Sequence, residues 1–156
     1  MKIRKKTKLY IYGFLTLFVM AAIFYLSAQD TDASTHLSEG FLKTVIGNFL
    51  GRFLPNITDE GIYHDVRKYA HVFEYFCLGV TSCLFYNELI LNRFNSALLS
   101  SGLSFVYACS DEWHQTFVPG RSGQISDVFV DFTGIIIGVL TVTLLCVAIK
   151  NKNSTV

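Results

Sequence analysis

Four apolar stretches divide this sequence, separated by one long polar connection and two short ones. About 20 apolar residues in a helix, at 1.5 Å per residue, cross a hydrocarbon layer of roughly 30 Å. The predicted spans cover about residues 9–28, 69–91, 96–114 and 127–149. The third reaches spanning length only if its helix continues through Asp111 and Glu112 towards Gln115. The pattern therefore predicts an all-α protein, a four-transmembrane-helix bundle, with a single membrane domain over residues 1–156.

A different periodicity occupies the connection between the first and second spans. From Leu37 to Leu54, apolar residues recur at helical spacing, while Lys43 and Arg52 lie on the opposite face. Polar residues interrupt the apolar stripe, so this segment is not expected to cross the membrane. It predicts an amphipathic helix over about residues 35–54 that lies in the interface plane or packs on the outer surface of the protein.

Charge placement gives the expected orientation. Five basic residues fall within the first eight positions, and Lys150 and Lys152 stand near the other end. Basic segments flanking membrane spans stay in the cytoplasm, and an even number of spans places both termini on one side. Both termini are therefore predicted to be cytoplasmic. A cleaved signal peptide is the alternative for the first stretch, but this stretch is long for one and Tyr25 to Gln29 makes a poor cleavage site.

Composition narrows the class of protein. The chain is 51% hydrophobic and 16% charged, whereas about a quarter of the residues in a soluble domain are charged. The net charge of +1 argues against a nucleic-acid partner. All four cysteines lie in apolar runs and none forms a Cys-x-x-Cys pair, which favours small apolar thiols over a zinc or redox motif.

Ionisable residues in the apolar segments are concentrated at three places. With cytoplasmic termini, the start of the second span, the end of the third and the start of the fourth all lie at the outer level. The candidate site residues there are Arg67, Lys68, His71, Glu74, Asp111, Glu112, Gln115, Arg121, Asp127 and Asp131. Charge at membrane depth is costly and usually functional. The alternative is that the cluster only locks three helix ends together.

Helical phase predicts how these residues are arranged. Asp127, Asp131, Gly134 and Gly138 share one stripe of the fourth span, and the Gly134-x-x-x-Gly138 spacing allows close helix packing. The expected ion pairs join Arg121 to Asp127 or Glu112, and His71 to Glu74 or Asp131. Trp113 and His114 are expected to point away from the cluster.

Three motifs resemble the VanZ-like family of bacterial integral membrane proteins. They are Arg67-Lys68-x-x-His71-x-x-Glu74-Tyr75, Asp111-Glu112-x-His114-Gln115-x-Phe117-x-Pro119-Gly120-Arg121 and Asp127-x-x-x-Asp131-x-x-Gly134-x-x-x-Gly138. The resemblance covers the three later spans, about half the chain. It implies a multi-pass protein of the bacterial cell membrane, associated with low-level resistance to the glycopeptide teicoplanin. It also implies asparagine where this chain has Asp131, so this chain carries an additional buried charge.

One hypothesis for the site is an enzyme, a hydrolase or transferase acting on a lipid or cell-wall precursor. Glu112 or His71 would transfer the proton, Arg121 would hold an anion and Asp127 would orient a partner. The remaining candidate residues would bind substrate: Arg67, Lys68, Glu74, Asp111, Gln115 and Asp131. No cofactor is predicted.

A metal-dependent variant of this hypothesis is open. Nitrogen and oxygen ligands can come from His71, Glu74, Glu112 and Asp131. The zinc pattern with two histidines four residues apart is absent, and no bound metal is predicted.

A second hypothesis is a non-catalytic binding protein. Its partners would be membrane lipids and a lipid-linked or acylated ligand held between the cluster and the amphipathic helix. A proton or ion path is the third and least favoured, because the fourth span is apolar beyond Asp131 apart from Thr133, Thr141 and Thr143. No pattern in the sequence indicates an oligomeric state.

Overall fold

The computed structural model describes residues 2–29, 60–90, 92–121 and 123–154, and every regular element in these ranges is an α-helix. The helices are α1 (Lys2–Ser27), α2 (Glu60–Leu89), α3 (Arg93–Gln115) and α4 (Ile125–Ser154). The predicted all-α class is confirmed for these ranges. The amphipathic helix predicted over 35–54 lies outside the described residues. Side chains are described within 5–29, 68–90, 92–121 and 123–152.

Helix ends follow local signals in the sequence. The third helix continues to Gln115, as spanning length requires. It begins after Asn92, whose side-chain oxygen accepts hydrogen bonds from the backbone N–H groups of Phe94 and Asn95 and so caps the helix. The second helix starts at Glu60, nine residues before the predicted span. Its first turns contain ionisable residues, which can be helical although they lie outside the apolar part.

Two of the four helices are long and apolar enough to cross a membrane by length and composition. The qualifying segments are Lys5–Ser27 of α1 and Ile125–Lys152 of α4. The second helix opens with a run of ionisable residues, and serines dilute the apolar content of α3. The described helices thus supply two candidate spans where the hydrophobic pattern predicts four.

Helix directions follow from side-chain contacts. The Tyr107 hydroxyl of α3 donates to the Met20 carbonyl of α1 at 2.6 Å, and Ser27 contacts Asp111, so α1 and α3 run in the same direction. The second helix runs the opposite way to α3. The Ser82 and Ser104 hydroxyls, for example, lie 3.2 Å apart, and the Tyr75 hydroxyl is 3.0 Å from Asp111.

The fourth helix packs parallel to α2 along a seam of glycines. A Cβ atom added to Gly134 would collide with the Val72 carbonyl, and one added to Gly138 would collide with the Phe76 carbonyl. On the facing helix, a Cβ on Gly79 would lie 2.5 Å from the Ile135 carbonyl. The backbones approach closely because these positions lack side chains, which confirms the close packing predicted from the Gly134-x-x-x-Gly138 spacing.

These directions define two ends of the helix assembly. The ends of α1 and α3 and the starts of α2 and α4 form what we call the polar end. The opposite helix ends form the basic end, where Lys8 Nζ lies 4.0 Å from Glu88 Oε1.

The interior is polar in places and the outer surface is apolar. Buried polar residues include Ser27, Ser82, Ser96, Ser100, Ser104, Asp111, Glu112, Gln115 and Asp131. Large apolar side chains such as Phe14, Phe73, Leu98 and Leu144, one from each helix, are more than 60% exposed. A contiguous apolar surface of this kind requires a non-aqueous environment or a partner.

Candidate functional site

Asp111 is the most heavily hydrogen-bonded carboxylate of the polar end. Its Oδ2 atom accepts from the Ser27 hydroxyl at 2.7 Å, the Tyr75 hydroxyl at 3.0 Å and the Gln115 amide nitrogen at 3.3 Å. The residue is 3% exposed, and both Tyr75 and Ser27 are fully buried. One carboxylate oxygen thus joins α1, α2 and α3.

His71 lies between two carboxylates. Its Nδ1 atom is 3.9 Å from Glu74 Oε2 on the same helix and 3.9 Å from Asp131 Oδ1 on α4. The His71 and Glu74 side chains are each 20% exposed, whereas that of Asp131 is 2% exposed. Both pairings predicted for His71 are therefore present, at a separation longer than a hydrogen bond.

Glu112 anchors the connection between α3 and α4. Its Oε1 atom accepts a hydrogen bond of 2.7 Å from the backbone N–H of Gln124, just before α4 begins. Gly123 fits beside it because an added Cβ would lie 2.8 Å from the Glu112 carbonyl. The Glu112 carboxylate is buried and used to position this loop, which weakens its candidacy as the proton-transfer residue.

Arg121 reaches across the same end of the molecule. It follows a turn in which Gly120 adopts a φ of 75°, a conformation that glycine adopts without strain. The guanidinium donates from Nη1 to Gln115 Oε1 at 3.2 Å and from Nη2 to the Leu26 carbonyl at 3.3 Å. These two acceptors are a side-chain amide and a backbone carbonyl, not the predicted Glu112 or Asp127 carboxylates.

The His71 and Asp111 clusters meet at the polar end. Tyr75, which follows Glu74 on α2, donates to Asp111 of α3, and His71, one helical turn earlier on α2, lies beside Asp131 of α4. Asp127 itself is half-buried and accepts from the Ser126 hydroxyl at 3.3 Å. Carboxylates from α2, α3 and α4 therefore lie within interaction range of one another at the polar end.

The remaining candidates are more peripheral. Lys68 is exposed at the start of α2, and the side chain of Arg67 is outside the described part of the structure. The His114 ring packs on Phe24 of α1, with ring centroids 4.7 Å apart. Trp113 is 68% exposed and points outward. The metal-dependent variant of the enzyme hypothesis gains no support, because the described residues contain no group of three or more His, Cys, Asp or Glu side chains that can hold a metal.

Several site groups were absent from the sequence prediction. The Ser27 hydroxyl, the Leu26 carbonyl and the Gln124 N–H all bind site residues. Ser27 lies one helical turn after the buried Ile23 and shares its inward face, but the uniformly apolar sequence of α1 does not reveal which face is inward. Backbone groups carry no sequence signal either.

The family described as VanZ/LLP1 matches residues 12–146, a range that runs from α1 to α4 and contains every site residue named above. No curated protein and no solved structure matches the chain. The match covers most of the chain and agrees with the predicted resemblance, so the chain belongs to the VanZ/LLP1 family and is a membrane protein of the VanZ type.

Proposed function

We propose that this protein crosses the bacterial cell membrane four times and binds the polar head of a lipid-linked or acylated ligand at its polar end, in the outer leaflet. Low-level teicoplanin resistance is the associated phenotype. The observation that carries the proposal is the convergence of buried carboxylates from α3 and α4 with the partly buried Glu74 of α2, at one end of an assembly whose outer surface is apolar. Intramembrane ionisable groups of this kind mark binding and reaction sites.

Charge asymmetry supports the orientation. Among the described side chains, the basic end carries Lys5, Lys6, Lys8, Arg93, Lys150 and Lys152. The polar end carries Lys68 and Arg121, together with the carboxylates of the site. An excess of basic residues retains a membrane end in the cytoplasm, so the site faces outward.

Exposed side chains support membrane crossing by α2 and α3 as well as by α1 and α4. Phe73 on α2 and Leu98 on α3 are 65% and 62% exposed. At the polar end, Tyr25, Tyr69 and Trp113 are also exposed, and such amphipathic rings favour the interface level. Their position supports a site just below the head groups.

A topology experiment tests the orientation. A fluorescent protein fused after Val156 is expected to fold in the cytoplasm, and an alkaline phosphatase fused there is expected to be inactive. Truncated fusions after Ile90 and after Thr116 are matched controls with cytoplasmic and external reporters, respectively. Phosphatase activity after Val156 would contradict the four-span arrangement.

A substitution tests the binding proposal. Arg121→Lys is expected to lower ligand occupancy about tenfold, because lysine cannot span Gln115 and Leu26 at once and a charge-assisted hydrogen bond contributes about 1.5–3 kcal/mol. The occupancy is measured by mass spectrometry of lipids that co-purify from detergent, and teicoplanin susceptibility is measured in the same strains. Arg93→Lys, at the basic end, is the matched control. Full occupancy and resistance in Arg121→Lys would contradict the proposal.

An enzyme is the second candidate, and one observation favours it. A partly exposed His71 whose Nδ1 atom lies 3.9 Å from each of two carboxylates is suited to general acid–base catalysis. The variant His71→Gln separates the two candidates. Loss of resistance with the ligand still bound favours catalysis, whereas loss of both favours capture alone.

A further inference from the structure

Acidic groups outnumber fixed cations at the polar end. The described side chains there include the carboxylates of Glu74, Asp111, Glu112, Asp127 and Asp131. The fixed cations among them are Lys68 and Arg121. Counting Arg67, whose side chain is not described, leaves the excess of carboxylates in place. The formal charge of this end is therefore negative, which favours a positively charged group in the ligand.

Two of these carboxylates have oxygen atoms with no hydrogen-bond donor among the described residues. Asp111 Oδ1 and Glu74 Oε2 are both shielded from solvent and accept no hydrogen bond there. Asp111 is 97% buried, and its other oxygen is already used by three donors. Buried acceptors are almost always satisfied, so these atoms indicate a donor supplied from outside the described chain.

The terminal nitrogens of the Arg121 guanidinium are engaged by the protein itself. Both of its terminal nitrogens donate to groups of the protein, the Gln115 amide and the Leu26 carbonyl. Its charge also offsets that of Glu74. The guanidinium thus serves to hold the acidic cluster together, a role that is compatible with a cationic ligand.

A metal ion is a poorer candidate than an ammonium group. Within the described ranges, no three His, Cys, Asp or Glu residues converge closely enough to coordinate a metal. A primary ammonium needs less convergence, because its three N–H donors reach separate acceptors at about 2.7–2.9 Å each.

We propose that the ligand of this site presents a primary ammonium group, which Glu74 and Asp111 hold by charge-assisted hydrogen bonds. Tyr75, the residue after Glu74 on α2, donates to Asp111 at 3.0 Å, so both carboxylates belong to the contact between α2 and α3 at the polar end. The Glu74 side chain is 20% exposed, whereas Asp111 is 3% exposed and lies deeper. This assignment rests on the proposed head-group binding and specifies the chemistry recognised.

Three lipids with the same acyl chains test the assignment. Phosphatidylethanolamine has three N–H donors, phosphatidylcholine has the same charge with none, and phosphatidylglycerol has no ammonium. Each is titrated into the full-length protein in detergent, and occupancy is read by native mass spectrometry. Fluorescence of the single tryptophan, Trp113, which lies at the polar end, is a second readout. Free ethanolamine as a competitor distinguishes recognition of the amine alone from recognition of an amine on a lipid.

The expected result is at least a tenfold preference for phosphatidylethanolamine over both other lipids. The Glu74→Gln variant, which keeps the side-chain shape, should lose most of this preference, whereas Glu88→Gln at the basic end should keep it. Equal binding of phosphatidylcholine, or an unchanged preference in Glu74→Gln, would overturn the ammonium assignment. If all three lipids bind equally and Arg121→Lys weakens all of them, head-group binding stands and only the ammonium assignment fails. If no site variant weakens any lipid, both fail.

Discussion

Replacing Gly138 with valine is expected to destabilise the protein by about 1–3 kcal/mol, the usual cost of overpacking a tightly packed interior. An added Cβ would collide with the Phe76 carbonyl and lie 2.9 Å from the Val80 nitrogen. Both are backbone atoms of α2, so the clash can be relieved only by moving a helix. The measurement is thermal or denaturant-induced unfolding in detergent, and Gly134→Val is expected to behave in the same way.

Gly102 offers a matched control on α3. A Cβ added there meets no atom within 4 Å, and the position is exposed. Gly102→Val is the same residue exchange as Gly138→Val and changes the intrinsic helix propensity by the same amount, but it creates no clash. Equal losses of stability for Gly138→Val and Gly102→Val would show that the α2–α4 seam is not tightly packed.

The features that the sequence predicted well are those set by local periodicity. The spacing of Gly134 and Gly138 places them on one helix face, and the structure puts that face against α2. In the same way, the helical phase groups Asp111, Glu112 and Gln115, and all three are buried. Both predictions use only the 100° step between helix residues, which holds whatever the helix packs against.

The different hydrogen-bond partners of the site carboxylates could not be predicted from the sequence. Asp111 and Glu112 are adjacent carboxylates, yet one binds side chains of α1 and α2 and the other binds a backbone N–H of the loop. Helical phase cannot distinguish the two residues, because the partner of each carboxylate depends on which groups of the other helices and loops lie beside it. The hydrogen bond from Arg121 to the Leu26 carbonyl could not be predicted either, since every residue carries a backbone carbonyl.

The first helix contributed more than its sequence indicated. Its sequence is a uniform apolar stretch. The predicted site therefore used only the start of the second span, the end of the third and the start of the fourth. The structure adds a fourth, because Ser27 and the Leu26 carbonyl reach the site from the end of α1. A single serine in an apolar helix can bond to its own backbone at no cost, so its tertiary role emerges only when a buried acceptor lies opposite.

Replacing Asp111 with alanine is expected to have the second large effect, a loss of about 3 kcal/mol, because donors left unsatisfied in a buried site cost about 1–3 kcal/mol each and such costs are not additive. The donors concerned come from Ser27, Tyr75 and Gln115, so contacts among three helices weaken together. Asp111→Asn, which retains an acceptor oxygen and removes the charge, should lose less.

A double-mutant cycle with Tyr75→Phe isolates one of these bonds. The Tyr75 hydroxyl donates to Asp111 at 3.0 Å, and Phe differs from Tyr only by that hydroxyl. Tyr75→Phe should therefore cost about 1.5–3 kcal/mol in the parent protein, the range for a hydrogen bond to a charged group, and close to nothing in Asp111→Ala. Unfolding free energies of the four proteins, measured in one detergent, give the coupling directly. If the two losses simply add, the hydroxyl and the carboxylate stabilise the fold independently, and Asp111 does not join α3 to α2 through Tyr75.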